Sequence, residues 1–141
     1  MKHIFLDTNI IIDVFAARSP FDFYAVEIFR LSAENKVKIY ISAASYTTIY
    51  YLLRIQKIAH NKCISIIDDL QKIATIISVD STIISNSVKF NFPDFEDGVQ
   101  YASAKSIPKI SLIVTRDKTG FKKSNIPVVD ANQAVVYINA K

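Results

Sequence analysis

Five short apolar runs divide the chain: His3 to Leu6, Val37 to Ile41, Thr75 to Val79, Ile110 to Val114 and Pro127 to Val129. They are rich in β-branched residues, which suits strands. Between them lie stretches with helical spacing of apolar residues, such as Tyr24, Ile28 and Leu31 within 21–35. The other helices expected are 10–17, from Ser42 or Ser45 to about Gln56, 60–74, a short one from Asp80 or Ser81, 95–105, and a last one capped by Asp130. Buried strands alternating with helices predict an α/β fold whose parallel sheet is covered on both faces. With only two glycines and four prolines in 141 residues, the connections must be short. A length of 141 residues suits a single domain, 1–141, with a core of its own.

Two of these runs end in acid. Asp7 follows the first, and Thr115-Arg116-Asp117 follows the fourth. Parallel sheets bind ligands at the carboxyl ends of their strands, so both acids belong at that edge. A third segment, Asp94-Phe95-Glu96-Asp97, opens a helix, and Asp94 and Asp97 lie one turn apart on a shared face. Taken alone, the segment reads as a capping arrangement, with acids complementing a helix dipole. Asp7 and Asp117, taken singly, read as turn or cap residues. Three separate segments aiming carboxylates at one edge call for a cation, or for raised pKa values. Hard oxygen ligands with no Cys/His cluster select Mg²⁺ or Mn²⁺ over zinc.

Charge points the same way. The net charge is +4, from 17 Lys and Arg against 13 Asp and Glu. With Asp7, Asp94, Glu96, Asp97 and Asp117 set aside, the rest of the chain carries an excess of nine positive charges. A basic body around an acidic cluster suits a polyanion held near metal ions, although ordinary surface lysines give the same count. The opening apolar run is too short for a signal peptide, and no run approaches the roughly 18 residues of a membrane span. The lone Cys63 reads as a buried filler in a reducing compartment, which makes the cytoplasm the expected location.

With Asp7-Thr8-Asn9, Asp94-Phe95-Glu96-Asp97 and Thr115-Arg116-Asp117 in order, the chain resembles the PIN-domain family. These are small metal-dependent ribonucleases, many of them VapC-like toxins of toxin–antitoxin pairs. The resemblance covers nearly the whole chain and implies a three-layer α/β/α fold with a central parallel sheet of about four or five strands. Asp7, Asp97 and Asp117 match the family's metal-site acids, and Asp94 matches an acid often found one turn before the third. Asn9 matches the residue that supports the first acid, while Thr115 and Glu96 stand as neighbours of the site. The implied activity is Mg²⁺- or Mn²⁺-dependent endoribonuclease cleavage. The implied partners are RNA, an antitoxin protein and a second copy in a homodimer. The chain departs from the family pattern at Thr48, where a Glu is usual, and at Gly120, where an acid often precedes Phe121.

Phosphodiester hydrolysis needs a water deprotonated near neutral pH and charge stabilisation at the phosphoryl group, both of which a carboxylate-held divalent ion supplies. Arg116, Lys118, Lys122 and Lys123 on the loop after the fourth strand offer charge to RNA phosphates, or form a solvated basic loop. Tyr46, Tyr50 and Tyr51 suit packing on a neighbour more than base stacking. Two rival classes remain open. One is a degenerate PIN domain that binds RNA or protein without turnover. The other is a phosphoaspartyl enzyme using Asp7, although a haloacid-dehalogenase-like phosphatase needs a second Asp where Asn9 stands, and receiver-type signals are not clear.

Overall fold

The computed structural model describes all residues from Met1 to Lys141. Its strands are β1 (Lys2–Leu6), β2 (Val37–Ser42), β3 (Thr75–Ile77), β4 (Leu112–Val114) and β5 (Val128–Val129). They form one parallel sheet in the order β3-β2-β1-β4-β5. Helices α1 (Thr8–Phe15) and α2 (Asp22–Ala33) follow β1, and α3 (Ala43–Ile55) and α4 (His60–Ile73) follow β2. Next come α5 (Ser81–Phe90) and α6 (Phe95–Lys105) after β3, and α7 (Ala131–Asn139) after β5.

Alternation along each strand sorts the side chains into two layers, because successive residues point to opposite faces. Ile4 and Leu6, Ile39 and Ile41, and Leu112 and Val114 pack with α1, α2, α3, α4 and α7. Phe5, Tyr40 and Ile113 face the other way, against Tyr101 and Ala104 of α6 and against Phe92 and Phe121. Each fully buried Ile, Leu or Phe contributes roughly 1.5–3 kcal/mol relative to exposure, so both layers hold the sheet firmly. Helices therefore cover both faces, as the three-layer expectation required. No helix is long and apolar enough to cross a membrane.

Several boundaries differ from expectation. The helix expected from residue 10 begins at Thr8. Asp7 caps α1 directly, its side chain accepting from Thr8 N–H, so the helix starts one residue after the strand. The strand expected over 110–114 begins only at Leu112, although Ser111 N–H still donates to the His3 carbonyl at 3.0 Å. The helix expected over 21–35 stops at Ala33 because Asn35 adopts a left-handed φ of 59°.

The topology fixes where a ligand can enter. Strand order reverses between β1 and β4, which pair in register as Leu6 with Val114. At such a switch point the crevice beyond the strand ends is open, and Asp7 and Thr115 are the next residues on either side. Asp7 N–H extends the ladder by one bond, donating to the Val114 carbonyl at 3.0 Å.

Candidate metal centre

Asp7 is buried at this switch point and fixed by three donors. Thr8 N–H reaches Oδ1 at 2.8 Å, while Thr115 Oγ1 (2.8 Å) and the Asn9 side-chain amide (3.4 Å) reach Oδ2. Thr115 is the hub of this arrangement. Its hydroxyl also accepts from the Asn9 amide at 3.1 Å and from Asp117 N–H at 3.0 Å. Asn9 in turn accepts from Arg116 N–H. The Asp7-Thr8-Asn9 and Thr115-Arg116-Asp117 segments are thus knitted into one unit.

The third segment arrives by a polar seam on α6. Gln100 Nε2 donates to Ser45 Oγ at 2.7 Å and to Thr8 Oγ1 at 3.3 Å, and Ser103 Oγ donates to Ser42 Oγ at 3.0 Å. Gln100 and Ser103 lie one and two turns beyond Asp97, so docking this face carries Asp97 toward Asp7. Asp94 is the N-cap of α6 and accepts from Asp97 N–H at 3.1 Å. Asp117 caps a 3₁₀ turn, Lys118–Phe121, accepting from Gly120 N–H. The capping reading of Asp94 and Asp117 is therefore correct, but it is not the whole account.

Asp7, Asn9, Thr48, Asp94, Glu96, Asp97 and Asp117 all line one open cleft of about 400 Å³. Thr115 lies buried beneath it. Thr48 sits one turn after Ser45 on α3, so the helix aims it at the cleft. The charges there repel one another. Burial, then Asp7, Asp94, Asp117 and Glu96, push the Asp97 carboxyl up to about 7. Burial also raises Asp7 against the hydrogen bonds from Thr115 and Thr8, and Asp117 and Asp94 add to the rise. Glu96 is raised by desolvation and by Asp94 and Asp7.

No three of the acids form a ready ligand cluster. A hydrated ion suits this open cleft better than a closed cage: Mg²⁺ keeps several waters and takes one or two protein carboxylates. All the donors are hard oxygens, and burial together with neighbouring acids raises the Asp7, Glu96 and Asp97 carboxyls above their usual range. Both observations fit a divalent cation as the missing charge.

The basic loop does not behave as a unit. Arg116 lines the cleft but is engaged with Asp13. Lys118 reaches Gln133 Oε1 and Lys123 the Asn91 carbonyl, and neither they nor Lys122 line the acidic cleft. Tyr46 and Tyr50 pack against the core, and burial pushes the Tyr46 hydroxyl up to about 12. Tyr50 bonds His60, His3 bonds Tyr40, and Cys63 is buried. Asp13, Arg18 and Gln100 belong to no motif. A lone acid inside the apolar run Ile10-Ile11-Ile12-Asp13-Val14-Phe15 was the one signal pointing to the first of them.

The chain is similar to known proteins. Ribonuclease VapC1 from Aquifex aeolicus (strain VF5) is 31% identical over 137 residues, which span 94% of this chain and 92% of that protein. The crystal structure of VapBC2 from Rickettsia felis bound to a promoter DNA fragment superposes with a TM-score of 0.64 at 16% identity. That likeness covers 91% of this chain and 97% of the other, and it speaks to the fold. Residues 3–119 match the PIN domain. That match runs from β1 into the 3₁₀ turn that follows β4 and takes in all three acidic segments, so the chain belongs to the PIN domain family.

Proposed function

We propose that the protein is a Mg²⁺- or Mn²⁺-dependent endoribonuclease that hydrolyses RNA phosphodiesters at this cleft, and the toxin of a toxin–antitoxin pair. The observation that carries the reading is Asp97, a carboxyl held near pH 7 by burial and by acids from separate segments. Such a cluster is electrostatically costly unless a cation joins it. Membership of the PIN domain family and the likeness to a protein named Ribonuclease VapC1 support the same activity.

Asp7, Asp97 and Asp117 would hold the ion, with Asp94 and Glu96 adding charge and Thr48 a hydroxyl at the same cleft. When bound, the ion supplies an acidified water and offsets charge developing on the phosphoryl oxygens. The chain's own part is orientation and proton handling. Thr115 and Thr8 fix both oxygens of Asp7, and Asn9 braces Thr115. Asp97 would give up its proton to solvent on cation binding, because burial first and neighbouring anions second hold that proton in place.

The proposal includes protein partners, an antitoxin and a second copy in a homodimer. The exposed apolar side chains Tyr51 and Ile55 on α3 and Ile64 on α4 support it. It also includes a cytoplasmic setting, supported by the free, buried Cys63 thiol. The test is cleavage of end-labelled RNA by purified protein. Cleavage should require Mg²⁺ or Mn²⁺, stop with chelator, and fall by orders of magnitude in Asp7→Asn and Asp97→Asn. Undiminished cleavage in both variants would overturn the assignment. Intact RNA at every metal concentration, with binding retained, would instead mark a catalytically silent binding module.

A further inference from the structure

Carboxylates make up only part of the cleft wall. Arg18 and Arg116 line it too, and both converge on Asp13, which has no solvent exposure. Arg116 grips this carboxylate with two nitrogens, Nε to Oδ2 at 2.7 Å and Nη2 to Oδ1 at 3.0 Å. Arg18 adds Nε to Oδ1 at 3.0 Å. One arginine would balance the buried charge, so the second leaves a net positive charge at the rim. The Arg18 Nη groups and Arg116 Nη1 donate to no other atom of the chain. With side chains 34% and 31% exposed, these unused donors are open to a ligand. Arg116 is pinned further by the Phe21 ring, with Cζ 4.1 Å from the ring centroid.

Arg116 is also a party wall. On its far side lies a second cavity of about 490 Å³, with Phe21, Tyr24, Pro20, Lys118 and Asn132 among its lining residues. It is the one residue that borders both spaces. Guanidinium forks match phosphate oxygens, and exposed aromatic faces beside an arginine plane suit unstacked bases of single-stranded RNA. A cleft crowded with carboxylates repels a polyanion, so fixed positive charge at its edge has a clear use.

We propose that the Asp13–Arg18–Arg116 cluster and the Phe21–Tyr24 cavity form a nucleotide subsite flanking the scissile bond. The arginines, set by Asp13, take the neighbouring phosphate, and the cavity takes the base attached to it. Asp13, at the wall of that cavity, is a positioning residue that acts through the two arginines. The subsite rests on the nuclease reading above and extends it to substrate placement.

The test measures binding of a labelled single-stranded RNA in Mg²⁺, in an Asp7→Asn background that the nuclease reading makes inactive, across a salt series, with melting curves for every variant. Arg18→Gln and Arg116→Gln should each weaken binding and reduce the slope of log K against log salt by about 0.7. Arg116→Lys should keep the slope yet bind more weakly, because it keeps the charge and loses the fork. Tyr24→Ala, at an exposed position, should weaken binding about tenfold with the slope unchanged. Variants that melt earlier but retain wild-type affinity and slope would reduce the cluster to a structural tie and overturn the proposal. Loss of binding to an acidic peptide, with RNA affinity intact, would overturn it in favour of a protein ligand. A wild-type protein that neither binds nor cleaves RNA would instead defeat the nuclease reading, so the two failures are distinguishable.

Discussion

Asp97 of α6 and Gly120 of the 3₁₀ turn meet so closely that a Cβ on residue 120 would stand 2.5 Å from Asp97 Oδ2. The same atom would lie 3.2 Å from Asp117 Oδ2. Gly120 does not have a positive φ, so a side chain here would disturb the Asp97 carboxylate rather than strain the backbone.

Gly120→Ala should therefore act on the cleft more than on the fold. The clash falls on the far end of a flexible side chain, which can swing away at little cost in stability. Displacing Asp97 by about 1 Å should lower metal-dependent cleavage roughly ten- to hundredfold. Cleavage rates and melting temperature measured together decide the matter. A large drop in melting temperature with normal activity per folded molecule would refute it.

Asp97 also sets a pH signature. Its folded pKa, about 7, lies above the unfolded value of 3.8. The folded state thus holds the proton more tightly, so this residue's contribution is fully present below about pH 4. It is lost as pH rises toward 7. In chelator, stability should fall across that window, and Asp97→Asn should flatten the fall. Added Mg²⁺ should restore stability most at the upper end, where the carboxyl is ionised. Melting curves at pH 4.5, 6 and 7.5, each with and without Mg²⁺, provide the check. A variant that loses stability with the wild-type slope would exclude Asp97 as the titrating group.

What was legible in the sequence follows from how local each signal is. Asp7 and Asp117 could be placed because an acid ending an apolar run marks the carboxyl edge of a sheet, whichever strands neighbour it. Asp97 could be placed because Asp94 starts its helix one turn earlier. Arg116 was harder. Its neighbours suggested a basic loop, yet its partner Asp13 lies 103 residues away in sequence, and no local pattern encodes that pairing. The seam of Gln100, Thr8 and Ser45 was hidden for the same reason, being three small or neutral polar residues from three helices. The second cavity depends on how α2 and α7 pack around Arg116, which periodicity alone does not specify.

Thr48 offers the sharpest test of the cleft as a metal site. It lines the same space as Asp7, Asp97 and Asp117, and it is the position on α3 where the sequence led us to expect an acid. A hydroxyl there can bond a metal-bound water but brings no charge. With one acid fewer, a second divalent ion gains less from the cleft than it loses in hydration, so one weakly held ion is expected. Thr48→Glu should tighten Mn²⁺ binding, because Coulomb attraction between the added carboxylate and the ion has only one sign. In the metal-free protein the same change should cost stability and raise the Asp97 carboxyl further, since another anion joins the cluster that already lifts it to about 7. Calorimetric titration of Mn²⁺ into wild type and variant, alongside melting curves in chelator, reads both effects. Tighter binding together with a less stable metal-free protein is the expected pair. Equal affinities and equal stabilities would show that residue 48 and the acids do not share one electrostatic site.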